Sequence, residues 1–497
     1  MTATASDRAI AEDHPAFARG PVLAVAAAVG LLLTAVSGRY GYFGDELYFV
    51  AAGHPLAWGY ADQPPLVPLL ALVADTVAPG SVAVLRIPAT LATTAVVVLA
   101  ALLARELGGG RRAQLVAAGA VAVSPTFLGT GHLLATSTLD PLVWTAVTLL
   151  LVRWVRTRDD RLLLAAGAVT AIGLQIKFLL VAFWAVALVA VLICGPREML
   201  RRPALWGGGA FAVLVTLPTL AWQAQNGWPQ LAFTRTVAAE SEYAGGALGF
   251  LPVAVGLGGL LIGTVLTVHG EVALLRAPAL RWLGVTVLGV TALFLVTGGR
   301  PYYVAGLLPL VWAMSASRIE THRPAVWWRW IPTWPTYVAS ALFVLGVLNV
   351  VPVVPAETHS DQPLVIGHFQ RDEIGWPDYV ADVRAAHAAL PPDTARTAVV
   401  VTDDYWTYAA LQHYAPDLPS YSYSRGAAYL GTPPEDSGAV LLVGDPRPLA
   451  PAFGSVTRIG TLDNELRVNN LTRGTPIFLL QGRTVAWDLL WDRVRDL

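Results

Sequence analysis

The side chains best suited to chemistry crowd into one stretch: Arg39-Tyr40-Gly41-Tyr42-Phe43-Gly44-Asp45-Glu46-Leu47-Tyr48, then His54-Pro55, then Asp62-Gln63-Pro64-Pro65-Leu66. The stretch follows the first apolar run of membrane length, so Asp45 and Glu46 are expected at a bilayer surface. Adjacent carboxylates are costly there unless hydrated or used. A carboxylate in that position can take the proton of an attacking hydroxyl. The plain structural alternative is an interfacial helix that Asp45 caps. The acidic pair, with the stiff Gln63-Pro64-Pro65-Leu66 segment behind it, favours catalysis. Tyr40, Tyr42, Phe43, Tyr48, Phe49 and Trp58 suit a headgroup layer.

Further polar residues sit where apolar runs begin or end. Arg86, in Leu85-Arg86-Ile87-Pro88, can snorkel or hold a phosphate. His132 and Asp140 flank a turn, and Asp140-Pro141 reads as a helix start with proline in the first turn; a carboxylate facing a cavity is the alternative. Lys177 is the one lysine among 33 basic residues and lies between apolar segments. An ammonium at that depth needs an anion or water, which favours a phosphate-facing role. Arg300, Tyr302 and Tyr303 can contact a lipid phosphate, although an aromatic belt explains the tyrosines equally well.

The elements that must position these groups are membrane spans. The chain has 497 residues, 55% hydrophobic and 13% charged, with mean hydropathy +0.55. A soluble chain would carry roughly a quarter charged residues. About eleven apolar runs of spanning character lie at 21–38, 82–104, 113–130, 139–153, 161–175, 177–194, 204–222, 247–268, 282–297, 302–317 and 335–353. The basic clusters Arg105/Arg111/Arg112, Arg153/Arg156/Arg158/Arg161, Arg197/Arg201/Arg202, Arg276/Arg281 and Arg318/Arg323/Arg329 fall in alternate loops. By the positive-inside rule those loops are cytoplasmic. The N-terminus is then inside, and the 39–81 loop, the Gln175–Lys177 turn and the tail are outside. A net charge of -1 gives no electrostatic case for nucleic acid. The single cysteine, Cys194, excludes an intrachain disulfide.

The expected organisation is a disordered cytoplasmic tail at 1–20, a transmembrane domain at 21–354 with its 39–81 loop, and an extracytoplasmic domain at 355–497. In the tail, Thr397–Thr402 and Ala439–Val443 read as buried strands, with Ile477–Leu480 as a third. Asp403-Asp404 ends the first strand and leads a helix to about His413; Trp376–Leu390 has helical spacing. The tail therefore reads as a small, partly parallel α/β domain, with Asp404 as a helix cap. It is expected to support the site, shaping acceptor access.

The first loop, with Asp45-Glu46-Leu47-Tyr48 and Gln63-Pro64-Pro65-Leu66, resembles the dolichyl-phosphate-mannose protein mannosyltransferases and the bacterial aminoarabinose transferases. These are GT-C glycosyltransferases of family 39 type. Arg86, Asp140, Lys177 and Tyr302-Tyr303 fit the same pattern, and the likeness covers roughly residues 20–320. The family's His-Pro-Pro is Gln63-Pro64-Pro65 here, with His54-Pro55 upstream. The resemblance implies a GT-C-like polytopic α-helical protein of the plasma membrane. It would move a sugar, with inversion, from a polyprenyl-phosphate donor to an extracytoplasmic lipid, glycan or protein acceptor. Asp45 would be the general base, and Glu46 would orient the acceptor or hold Asp45's partner. Arg86, Lys177, Arg300, Tyr302 and Tyr303 would meet the donor phosphate. Tyr48, His54, Asp62, Gln63, His132 and Asp140 would line the cavity. A divalent cation near Asp45 and Asp140 is compatible with the pattern but not required by it. The competing class is a transporter or lipid flippase, which would need polar residues midway along several spans.

Overall fold

The computed structural model describes residues 15–243, 245–322, 324–363 and 369–495. Most of the expected N-terminal tail, and Arg323, lie outside them. The chain divides into two compact units. The first takes in residues up to Ser37, Arg86–Ala221 and Arg235–Val351; the second takes in Gly38–Leu85, Trp222–Thr234 and Pro352–Leu497. The 39–81 loop thus belongs to the unit that holds the tail, not to the one that holds most of the apolar helices.

The first unit is helical throughout. Among the described residues five helices are long and apolar enough to cross a membrane: Arg19–Val36, Val82–Glu106, Thr136–Thr157, Pro203–Gln225 and Gly258–Arg276. The pair Arg111–Ala122 and Pro125–Gly131, bent by 58°, makes a sixth if it is one span. The other expected spans appear as shorter apolar helices, including Arg161–Leu174, Leu179–Cys194, Arg281–Val296 and Trp334–Val347. The count is therefore lower than eleven by length, because hydropathy windows merge short helices with their turns. Small residues set the packing distance. A Cβ on Gly167 would lie 2.3 Å from Gly208 Cα, so the helices carrying them touch backbone to backbone. Buried Glu106 receives two hydrogen bonds each from Arg153 and Arg156, at 2.7–3.0 Å, which ties two helix ends together.

The second unit contains a five-stranded sheet: β1 (Ala398–Thr402), β2 (Ser420–Ser422), β3 (Ala439–Val443), β4 (Phe453–Thr461) and β5 (Pro476–Arg483), in the order β2-β1-β3-β5-β4. β1 runs parallel to β2 and β3; β5 is antiparallel to β3 and β4. β3 and β1, the latter up to its closing Thr402, are apolar runs with every residue buried, as strands covered on both faces require. One sheet face packs Val401, Leu442 and Leu480 against Trp487 and Trp491. The helix Tyr405–Tyr414 follows β1, started by Asp404, whose carboxylate accepts from Trp406 N and Thr407 N at 2.8 and 3.2 Å. The loop helix Gly44–Gly53 lies in this same unit. Tyr42, Phe43, Tyr48 and Phe49 are buried rather than spread in a headgroup layer; Trp58 alone of those large rings stays mostly exposed, at 67%.

Candidate active site

Asp45 occupies the first turn of the Gly44–Gly53 helix and is partly exposed. Its Oδ1 accepts two hydrogen bonds, from Tyr405 Oη and from Trp406 Nε1, both at 2.7 Å. Among the described residues no hydrogen-bond donor reaches Oδ2. The approach depends on Gly44, where a Cβ would fall 2.1 Å from the Trp406 ring. Phe43 meets that ring edge-on at 4.8 Å, and Tyr48 meets Tyr405 at 5.2 Å. Arg425 Nη1 donates to Tyr405 Oη at 3.0 Å, and its guanidinium lies 4.6 Å over the Tyr405 ring.

The next layer joins the two loop motifs. Tyr48 Oη donates to Asp62 Oδ1 at 3.0 Å. Burial pushes the Asp62 carboxyl up from its ordinary 3.8 to about 6; the Tyr48 bond and Arg425 oppose the rise, and the charge of Asp45 adds to it. Gly426 closes on this pair, since a Cβ there would overlap Tyr48 Oη at 1.9 Å. Gln63 is buried, and its carbonyl accepts from Tyr60 N at 3.0 Å. Gln223 Nε2 in turn donates to the Tyr60 carbonyl at 2.8 Å, so the Gln63 backbone helps fix the loop, while its side-chain Nε2 is buried with no hydrogen-bond partner among the described residues.

Two expectations for this loop are corrected. Glu46 does not stand beside Asp45 in the open: it is fully buried, and its Oε2 accepts from Phe43 N at 2.9 Å, closing the helix start. His54 ends the helix, about 14 Å along its axis from Asp45. It is exposed and 3.3 Å from Asp75, so it does not line the Asp45 site.

A second set of residues lies in the helical unit. The Lys177 ammonium rests 4.3 Å over the Tyr303 ring and 5.2 Å over Tyr302. Among the described residues no carboxylate comes within 4 Å of it. Asp140 does not start a helix as expected: Thr136–Thr157 begins a turn earlier, and the Asp140 carboxylate accepts from Trp144 Nε1 at 3.0 Å. Gly306 lets the Pro301–Leu307 segment close on Trp144, since a Cβ would meet Trp144 Cβ at 2.4 Å. That contact carries Tyr302 and Tyr303 to Lys177. Arg300 pairs with Glu240. Arg86 is only 1% exposed; its Nη1 donates to the Ser37 carbonyl and to His132 Nε2, both at 2.8 Å. Arg86 and His132 thus brace each other, which corrects the expected phosphate-facing arginine and cavity-lining histidine.

Tyr405, Trp406 and Arg425 join the site beyond the residues that the sequence points to. Tyr405-Trp406 follow directly on Asp404 at a strand's C-terminal end, a place where α/β sheets present functional groups. Arg425 offers no such signal; its mark is a φ of +47°, unusual for a residue with a Cβ. Among the described residues no three His, Cys, Asp or Glu side chains form a group that could hold a metal ion.

Residues 62–222 match the family described as dolichyl-phosphate-mannose-protein mannosyltransferase. Lys177, Asp140, Arg86 and Asp62 fall inside that segment and Asp45 outside it. No curated protein sequence matches the chain. Among solved structures, ArnT from Cupriavidus metallidurans aligns in its apo state and bound to undecaprenyl phosphate. Each shows a TM-score of 0.58 and 14% identity over 93% of this chain and 98% of that one. Arabinofuranosyltransferase AftD from Mycobacteria aligns with TM-score 0.52 and 16% identity, over 95% of this chain and 41% of its own. At such identities the likeness establishes the fold. The apolar helices and the shared architecture together make this a multi-pass membrane protein with an ArnT-like fold, one segment of which is similar to the dolichyl-phosphate-mannose-protein mannosyltransferases.

Proposed function

We propose that this chain is an inverting glycosyltransferase that takes a sugar from a polyprenyl-phosphate donor and hands it to an acceptor hydroxyl outside the cytoplasm. A polyprenyl carrier dissolves in the bilayer and presents its sugar-phosphate linkage at the interface. Asp45 Oδ2 removes the acceptor proton as the acceptor oxygen bonds to the anomeric carbon. The anomeric carbon–phosphate oxygen bond breaks, and the electron pair leaves with the lipid phosphate. Negative charge grows on that phosphate in the transition state, where a preorganised cation is worth most. Lys177 supplies it, held between the Tyr302 and Tyr303 rings. The hydroxyls of those tyrosines are further donors for the same oxygens.

The observation that carries the reading is the Lys177 ammonium: two aromatic faces, no carboxylate within 4 Å among the described residues, and a place inside the family-matched segment. The undecaprenyl phosphate held by ArnT, whose fold this chain shares, supports a polyprenyl phosphate as the ligand. The test is transfer by the purified full-length protein, offered a panel of labelled polyprenyl-phosphate sugars. Wild type is expected to turn over at least one, and Asp45→Asn none, with unchanged helix content by circular dichroism. Full turnover by that variant removes Asp45 from the mechanism.

A further inference from the structure

We propose that Tyr405 and Trp406, with Arg425 behind them, are positioning residues for Asp45, which makes the C-terminal domain a working part of the transfer site. This role presupposes the base reading of Asp45 given above. An aspartate carboxylate turns easily about its last torsion, whose preference is broad and two-fold. Left alone it would swap its oxygens and present neither steadily. Here both donors converge on Oδ1 at 2.7 Å, the short distance of a charge-assisted bond. Oδ2 is left to the acceptor hydroxyl.

The direction of every proton in the chain is dictated by side-chain type. An arginine can only donate, so Arg425 Nη1 fills a lone pair on Tyr405 Oη. The single Tyr405 hydroxyl proton then points to Asp45. The Trp406 indole N–H can only donate, and it reaches the same oxygen. Three local features of the backbone serve this arrangement. Gly44 leaves room for the Trp406 ring. Gly426 leaves room for Tyr48. Arg425 holds a left-handed φ of +47°, a strained conformation of the kind stored at functional sites. Simple packing of rings would need none of the hydrogen bonds, and Phe in place of Tyr405 would serve it equally well.

That distinction gives the test. Tyr405→Phe keeps the ring and deletes one hydroxyl. In the full-length protein we expect kcat to fall about ten-fold with the donor KM unchanged, and Tyr405→Phe with Trp406→Phe to fall about a hundred-fold, as misorientation of a reacting group costs. A second readout needs no substrate: coupling of glycine ethyl ester to carboxyls with a water-soluble carbodiimide, mapped by peptide mass spectrometry. The double variant should couple several-fold faster at Asp45, with exposed Asp393 as the unchanged control. Unchanged kcat in Tyr405→Phe overturns the proposal, whatever the coupling shows. Where wild type turns over none of the panel, unchanged coupling at Asp45 in the double variant overturns it. Full turnover by Asp45→Asn sinks the base reading instead, so the two failures are distinguishable.

Discussion

Replacing Lys177 with methionine keeps a long apolar stem and deletes the ammonium. On the proposed mechanism kcat/KM should fall about 100-fold or more, read by transfer kinetics, while detergent-solution melting stays unchanged. Asp62 makes a different prediction, in pH. Its folded carboxyl is raised to about 6, so the folded chain holds that proton more tightly than the unfolded chain does. Between about pH 4 and about pH 6 the folded state carries the extra proton, and stability therefore falls as pH rises through that window. Asp62→Asn should remove its share of the fall and melt about 2–4 °C higher than wild type at pH 7, with the difference vanishing near pH 4; a pH series of thermal melts measures it. At this scale the sequence marks Asp45 and Lys177 well, because a charge beside or within apolar runs demands an explanation. It does not reveal that Glu46 turns inward. Adjacent helical residues point about 100° apart, and only the packing decides which of the two sees solvent.

The helix Gly44–Gly53 owes its place to one missing methyl. Gly44→Ala would press a Cβ into the Trp406 ring at 2.1 Å. The ring must move, and its indole leaves Asp45; the expected result is a kcat loss comparable with Trp406→Phe and about 1–3 kcal/mol of destabilisation from overpacking, measured by kinetics and denaturation side by side. β1, β3, β5, the Tyr405–Tyr414 helix and the Trp376–Ala388 helix all lie where apolar runs and turn residues indicate them. β2 escapes notice because it is three residues long, and β4 because most of its nine residues are exposed and carry no buried alternation. The rings at 42–49 are buried instead of lying among headgroups for a physical reason: rings suited to headgroups are equally suited to another protein surface, and composition alone does not separate the two.

For the whole molecule, the arginine-rich loops predict which side each part faces. With Cys194→Ser as background, Asp436→Cys should react with a membrane-impermeant maleimide on intact cells, and Arg111→Cys only after lysis; the reverse pattern would invert the topology. The span positions are legible from hydropathy, yet several helices run shorter than a bilayer is thick, which is why the sequence count overshoots the length-based one. The first loop and the tail share one compact unit, so that unit cannot close until the tail has been made. Asp45 and its partner Tyr405 are 360 residues apart in the chain. At about 5–20 residues per second, roughly 20–70 s separate the emergence of the loop from that of its cover. During that interval Phe43 and Tyr48 have no Trp406 or Tyr405 to rest on, so a nascent chain must shelter them with lipid or a chaperone until translation ends.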